Sequence, residues 1–191
     1  MTFEQVLIIV GEQKKYIMKK MIIDQSHSEI GFKVKHLMIS TVKGNIGSFS
    51  GGVEEDGTVT VTMNLDSIST GNADRDAHLK SADFFNVNSH PVITFTGKMN
   101  ENMTLANGEI SLNGFTKEIT LDVDYNGMSV DPWGNTKHGW EISGSINRNE
   151  FGLTWNAPLE TGGVLVSEEV KLNIDLQMME VVEEMETSSV M

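Results

Sequence analysis

The strongest constraint on this chain is a strict two-residue alternation of apolar and polar side chains, which recurs along its middle. Ile30, Phe32, Val34 and His36 fall on one side of a segment whose other side holds Glu29, Lys33 and Lys35. Val59, Val61, Met63 and Leu65 alternate with Thr58, Thr60, Thr62 and Asn64. The pattern returns at Ile119–Tyr125, at Trp140–Ile146 and at Val170–Leu176. A period of two marks β-strands with one dry and one wet face. Shorter strands fit Val42 to Phe49, Val92 to Met99 and Gly108 to Leu112, giving about eight in all. Asp56-Gly57, Asn107-Gly108, Asn113-Gly114 and Asn126-Gly127 read as turns, because these pairs accept positive φ. Short turns imply antiparallel pairing, since parallel strands need long crossovers. Such a sheet buries its dry faces either by closing into a barrel or by stacking as a sandwich, and periodicity does not choose between them.

One stretch departs from this. Residues 72–85 contain no β-branched side chain and open with Asn72, a good N-cap, so the spacing predicts a short helix over 73–82. The ends also stand apart in charge. The chain carries −13 overall; residues 1–20 hold +2, the tail 180–191 holds −4 and the remaining body −11. The domain is therefore expected over 21–179, after an N-terminal extension and before an acidic, disordered tail. Val6 to Val10 precede the basic run rather than follow it, unlike a signal peptide, so a cytoplasmic location is expected. The acidic balance argues against nucleic-acid binding and against broad docking on anionic membranes. With no cysteine there is neither a disulfide framework nor thiolate chemistry.

Several motifs carry more than periodicity. The run from Ile23 through Leu37, the helix segment Asn72–Phe85, His90-Pro91 with Ile93-Thr94-Phe95, Leu112–Lys117, and Asn147–Leu153 resemble, in this order, the YceI-like family. The resemblance spans about 21–178. It implies an all-β fold, an antiparallel eight-stranded lipocalin-like barrel around a hydrophobic tunnel. It also implies a carrier of polyisoprenoid chains, or in some members of fatty-acid amides. Many members are periplasmic, and the missing signal peptide departs from that.

The candidate ligand-facing residues are then Phe32, Val34, His36, Phe49, Val61, Met63, Phe84, Phe95, Leu121, Trp140, Ile142, Trp155 and Leu172, with Arg75, His78 and Arg148 as polar candidates. Without the family these apolar faces read as plain core. Arg75 and Arg148 are the only arginines. They either clamp Asp74, Asp76 or Asp83 and pin the helix to a barrel end, or meet a lipid headgroup. His36 is either a buried neutral histidine or a polar handle for a ligand oxygen. The histidines lack metal-ligand spacing, and no nucleophile elbow, phosphate loop or dinucleotide fingerprint occurs, so neither a metal, a cofactor nor catalysis is expected.

A chain of about 40 carbons at roughly 0.3 kcal/mol per atom would reach about −12 kcal/mol, near nanomolar. Release then calls for weaker binding or an opening triggered by transient membrane contact. An apolar rim would permit a homodimer, which nothing in the sequence demands. The competing expectation is an interaction module with a packed barrel. An empty lipid extract together with a cavity below about 300 Å³ would favour that alternative.

Overall fold

In the computed structural model the described residues are 6–10 and 13–17, in backbone only, and 19–100, 102–158 and 164–181. Strands β1 (Val6–Val10) and β2 (Gln13–Ile17) pair with each other, apart from the main sheet. The main sheet is antiparallel throughout. Its first half contains β3 (Met21–Ile23), β4 (Glu29–His36), β5 (Ser40–Ile46), β6 (Phe49–Val53), β7 (Thr58–Asn64) and β8 (Ile68–Ser69). After helix α1 (Ala73–Lys80) come β9 (Val92–Met99), β10 (Leu105–Leu112), β11 (Phe115–Val130), β12 (Thr136–Asn147) and β13 (Val166–Glu180).

Three pairs of these strands are single staves interrupted midway. A 3-10 turn at Gln25–His27 separates β3 from β4, Gly47 and Ser48 separate β5 from β6, and a 3-10 turn at Leu65–Ser67 separates β7 from β8. Counted as staves there are eight, each paired with the next in chain order. The last, β13, pairs with β12 on one side and with β3 and β4 on the other, which closes the ring. Closure leaves no free edge and answers the choice between barrel and sandwich.

The interruptions lie side by side and are stitched together. The Gln25 side-chain amide donates to Gly47 O at 2.9 Å, and Ser67 Oγ accepts from Ser48 N at 2.9 Å. Asp24 and Asn64 cap the two 3-10 turns, accepting from Ser26 N and Asp66 N. They form a seam across three neighbouring staves, where Asx caps replace the ladder bonds that a bend removes.

Two of the expected turns are not turns. Asn107-Gly108 lies inside β10, where Gly108 faces Gly97 of β9, and a Cβ on either would meet the Phe95 ring within 2.9 Å. Glycine is needed there for close approach, not for a reversal. Asn126-Gly127 sits inside β11 at a bulge, with Gly127 at φ +108°. Asp56-Gly57 and Asn113-Gly114 do reverse the chain, between β6 and β7 and between β10 and β11. The helix ends at Lys80, two residues short of expectation, because Ser81 N–H turns back to His78 O. Of the expected tail, Glu180 belongs to β13, and its carboxylate meets Lys19 at 2.8 Å and His138 at 3.0 Å. Residues 182–191 lie outside the described residues.

The staves place α1 and the segment 81–91 at one end of the barrel, the helical end, together with the β4–β5 turn and residues 148–158, 164 and 165. The opposite end carries the long β11–β12 hairpin. That end is shut by Met21, Val53, Trp140 and Met178, all almost fully buried.

Candidate functional site

Alternation aims one face of every stave inward, and the inward residues leave an apolar cavity of about 200 Å³. Among the candidates from the sequence, Phe32 and Val34 border it from β4, Val61 and Met63 from β7, and Phe95 from β9. Leu121, Trp140, Ile142 and Leu172 border it from β11, β12 and β13, and Phe84 and Arg148 from the helical end. Phe32, Ile142 and Leu172 are only half-buried although they point inward, so this part of the wall faces open space rather than packed atoms. Gly44 makes room for the Phe32 ring, since a Cβ there would lie 2.4 Å from its Cζ.

Five candidates lie elsewhere. Phe49 is buried beside the cavity without bordering it. His36, expected on the dry face, is half-buried at the rim, because β4 ends there and pairs through it with Ser40 and Val166. Arg75 and His78, expected on one helix face, part company. Arg75 turns back to the end of β8, donating through Nε to Thr70 Oγ1 at 2.7 Å and through Nη2 to Thr70 O at 2.9 Å. Thr70 in turn donates its N–H and hydroxyl to Asp76. Burial would raise the Asp76 pKa, but these two Thr70 bonds and the nearby Arg75 hold it below the usual value. Arg75 thus pins the helix through a threonine rather than through the carboxylates proposed for it.

His78 lies 3.2 Å from Asp83 and forms an edge-on aromatic cluster with Phe84 and Trp155, at ring distances of 5.1 and 4.9 Å. Trp155 belongs to this cluster, not to the cavity wall.

Arg148 is the charged side chain of the wall and is only 4% exposed. Its guanidinium donates to four carbonyls: Ser167 O at 2.9 Å, Trp155 O at 2.9 Å, Val166 O at 3.3 Å, and Leu153 O. Burial holds its pKa below the usual arginine value, and Glu168 offsets part of that. No carboxylate clamps it at ion-pair distance among the described residues. Oriented carbonyl dipoles satisfy the charge instead, and the planar fork binds the segment before β13 to the barrel end.

Sequence reasoning missed Leu79 and Phe85, which reach the cavity from the helix and the segment after it. Leu79 was visible as the sole long aliphatic on a polar helix. Met178, absent from the candidates, is 2% exposed and borders the cavity. Among the described residues no three His, Cys, Asp or Glu side chains converge on a metal position.

A closed antiparallel barrel of eight staves with an apolar interior places the protein among the small lipocalin-like barrels. The YceI-like domain model matches residues 22–178, and the chain belongs to that family. It is 43% identical over 164 residues to a UPF0312 protein of Staphylococcus epidermidis, covering 81% of this chain and 94% of that one. A UPF0312 protein of Staphylococcus aureus is 41% identical over 156 residues, covering 78% and 90%. The crystal structure of the Campylobacter jejuni YceI protein superposes with a TM-score of 0.66 at 31% identity, over 83% of this chain and 96% of that one. A polyisoprenoid binding domain from Saccharophagus degradans has the same fold, with a TM-score of 0.70 at 15% identity, over 86% and 100%.

Proposed function

We propose that the barrel binds an apolar chain, an isoprenoid or comparable lipid tail, and acts as a binding protein rather than an enzyme. The observation that carries this is the cavity of about 200 Å³, apolar along the barrel, with Arg148 at the helical end as its one charged wall residue among the described residues. Such a space offers no hydrogen bonds along its length, so only a ligand that needs none gains by entering. Affinity comes from apolar burial at roughly 25 cal/mol per Å². The polyisoprenoid binding domain of Saccharophagus degradans supports the ligand class by analogy of fold.

The volume limits the guest. At about 200 Å³ the cavity is small for a chain of about 40 carbons. A long polyisoprenoid would enter only as the lining parts, and Met63, Met99 and Met178 are side chains flexible enough to part. The same volume favours a second reading. It falls below the roughly 300 Å³ of ordinary small-molecule pockets, as expected for a packed barrel that meets its partner by its surface.

Extraction separates the two. The protein purified from cells and extracted with organic solvent should yield a near-stoichiometric apolar species by mass spectrometry. Phe95→Asp, which buries an unpaired charge in the wall, should lose that species. An empty extract, with no uptake of an added prenol or fatty-acyl probe by the wild-type chain, would leave the packed module.

A further inference from the structure

The turn between β4 and β5 is built from the wrong residues for a turn. Its closing bond runs from Ile39 N–H to His36 O at 3.3 Å, and its central residues, Leu37 and Met38, have φ of +53° and +60°. Positive φ at both central positions is the type I′ geometry that Asn-Gly fills at low cost, as Asn113-Gly114 does elsewhere in this barrel. Large L-residues are strained there. Yet the tip presents Met38 at 61% and Ile39 at 85% exposure. Strain and exposed apolar surface are thus kept at one place, against folding stability on both counts.

The surroundings of this tip say what it meets. Leu37 N–H is bonded to Leu165 O at 2.8 Å, next to Val166 of the cavity wall, so the tip stands at the cavity's helical end. Below it, on the outer face of β4 and its neighbours, Lys33 lies directly opposite Lys43 on one side and Lys171 on the other, and Lys35 is nearer the tip. Like charges set opposite one another destabilise a sheet. None of these four lysines has an ion-pair partner among the described residues. Glu168 and Glu169, in the bulge of β13 level with Lys35, border the strip near the tip, and Glu29 opposite Asp175 borders it farther away. On a chain of net charge −13, this is a local positive strip under an apolar point.

We propose that the Leu37–Ile39 tip docks on an anionic lipid bilayer, inserting Met38 and Ile39 while Lys33, Lys35, Lys43 and Lys171 lie against the headgroups, so that the helical end faces the membrane. The inference rests on the ligand reading in that it supplies a loading route, but docking is measured without any ligand in the cavity. The full chain should co-sediment with phosphatidylglycerol–phosphatidylcholine vesicles, less so with phosphatidylcholine alone or at high salt. Met38→Asp with Ile39→Asp should lower vesicle association at least about tenfold at unchanged thermal stability. Replacing Leu37-Met38 by Asn-Gly should raise the melting temperature while weakening vesicle association, the opposite of what a purely structural turn would do.

Equal association by wild type and the double aspartate variant would overturn the proposal. So would a concentration-dependent dimer, seen by sedimentation, that the same variant abolishes, since the tip would then be covered by a second copy. Uptake of a soluble prenol is measured in parallel. Its failure with vesicle association intact would strike the ligand reading and support this docking surface as a separate property.

Discussion

Arg148 shows how one side chain can be misassigned when only its type is known. An arginine beside an apolar cavity invites a headgroup or a carboxylate, yet four backbone carbonyls take its donors. The bonds tie Leu153 and Trp155 to the first residues of β13, Val166 and Ser167. Arg148→Met should therefore cost about 3 kcal/mol, because it leaves buried carbonyls unpaired. Arg148→Lys should recover little of that, since an ammonium lacks the planar fork. Urea titrations of the two variants check this, and full stability in the lysine variant would show that charge alone is needed.

At the scale of elements, the seam between the broken staves hangs on Asp24. Its carboxylate receives Lys137 Nζ at 2.8 Å, Ser26 Oγ at 2.6 Å and Gln177 Nε2 at 3.1 Å, joining the first 3-10 turn to β12 and β13. The Lys137 bond above all, with the Ser26 bond, holds its pKa far below the usual 3.8 against the opposing effect of burial. A pKa depressed by folding means the native state favours the ionised form. Its contribution is then whole above about pH 4 and is lost as the pH falls below that. Asp24→Asn should lower stability at neutral pH by about 2 kcal/mol and flatten the fall in melting temperature below pH 4. A variant whose acid limb parallels that of the wild type would contradict this.

At the hairpin end, Glu180 joins Lys19 and the buried His138, and His138 Nδ1 lies 3.0 Å from the Tyr125 hydroxyl. Burial would raise the Glu180 pKa, and the Lys19 and His138 bonds more than reverse it. These contacts tie the hairpin end together with a polar cluster.

For the molecule as a whole, closure and cavity are linked. The ring is completed by pairing β13 with staves more than a hundred residues earlier, Met178 with Ile23 and Ile174 with Ile30. A guest between these walls binds only the closed state, so it should stabilise the fold by about 2.7 kcal/mol at a hundredfold excess over Kd and raise the melting temperature with ligand concentration. Thermal melts against a prenol series test this directly. A melting point independent of ligand at saturating concentrations would favour the packed barrel.

Period-two patterning determined which residues turn inward, because one face of a closed sheet must be dry whatever else the chain does; Phe32, Val61, Phe95, Leu121 and Trp140 were legible on that ground. Asn72 and the absence of β-branching marked the helix by local chemistry alone. What tertiary structure decided is what depends on a neighbour distant in sequence. Gly97 and Gly108 serve the Phe95 ring, which no turn propensity reveals. His36 falls at a rim because β4 ends there, and Arg148 meets carbonyls that only closure brings to it. The width of the interior was also beyond sequence, since the space left inside a barrel depends on how side chains from opposite walls meet across it.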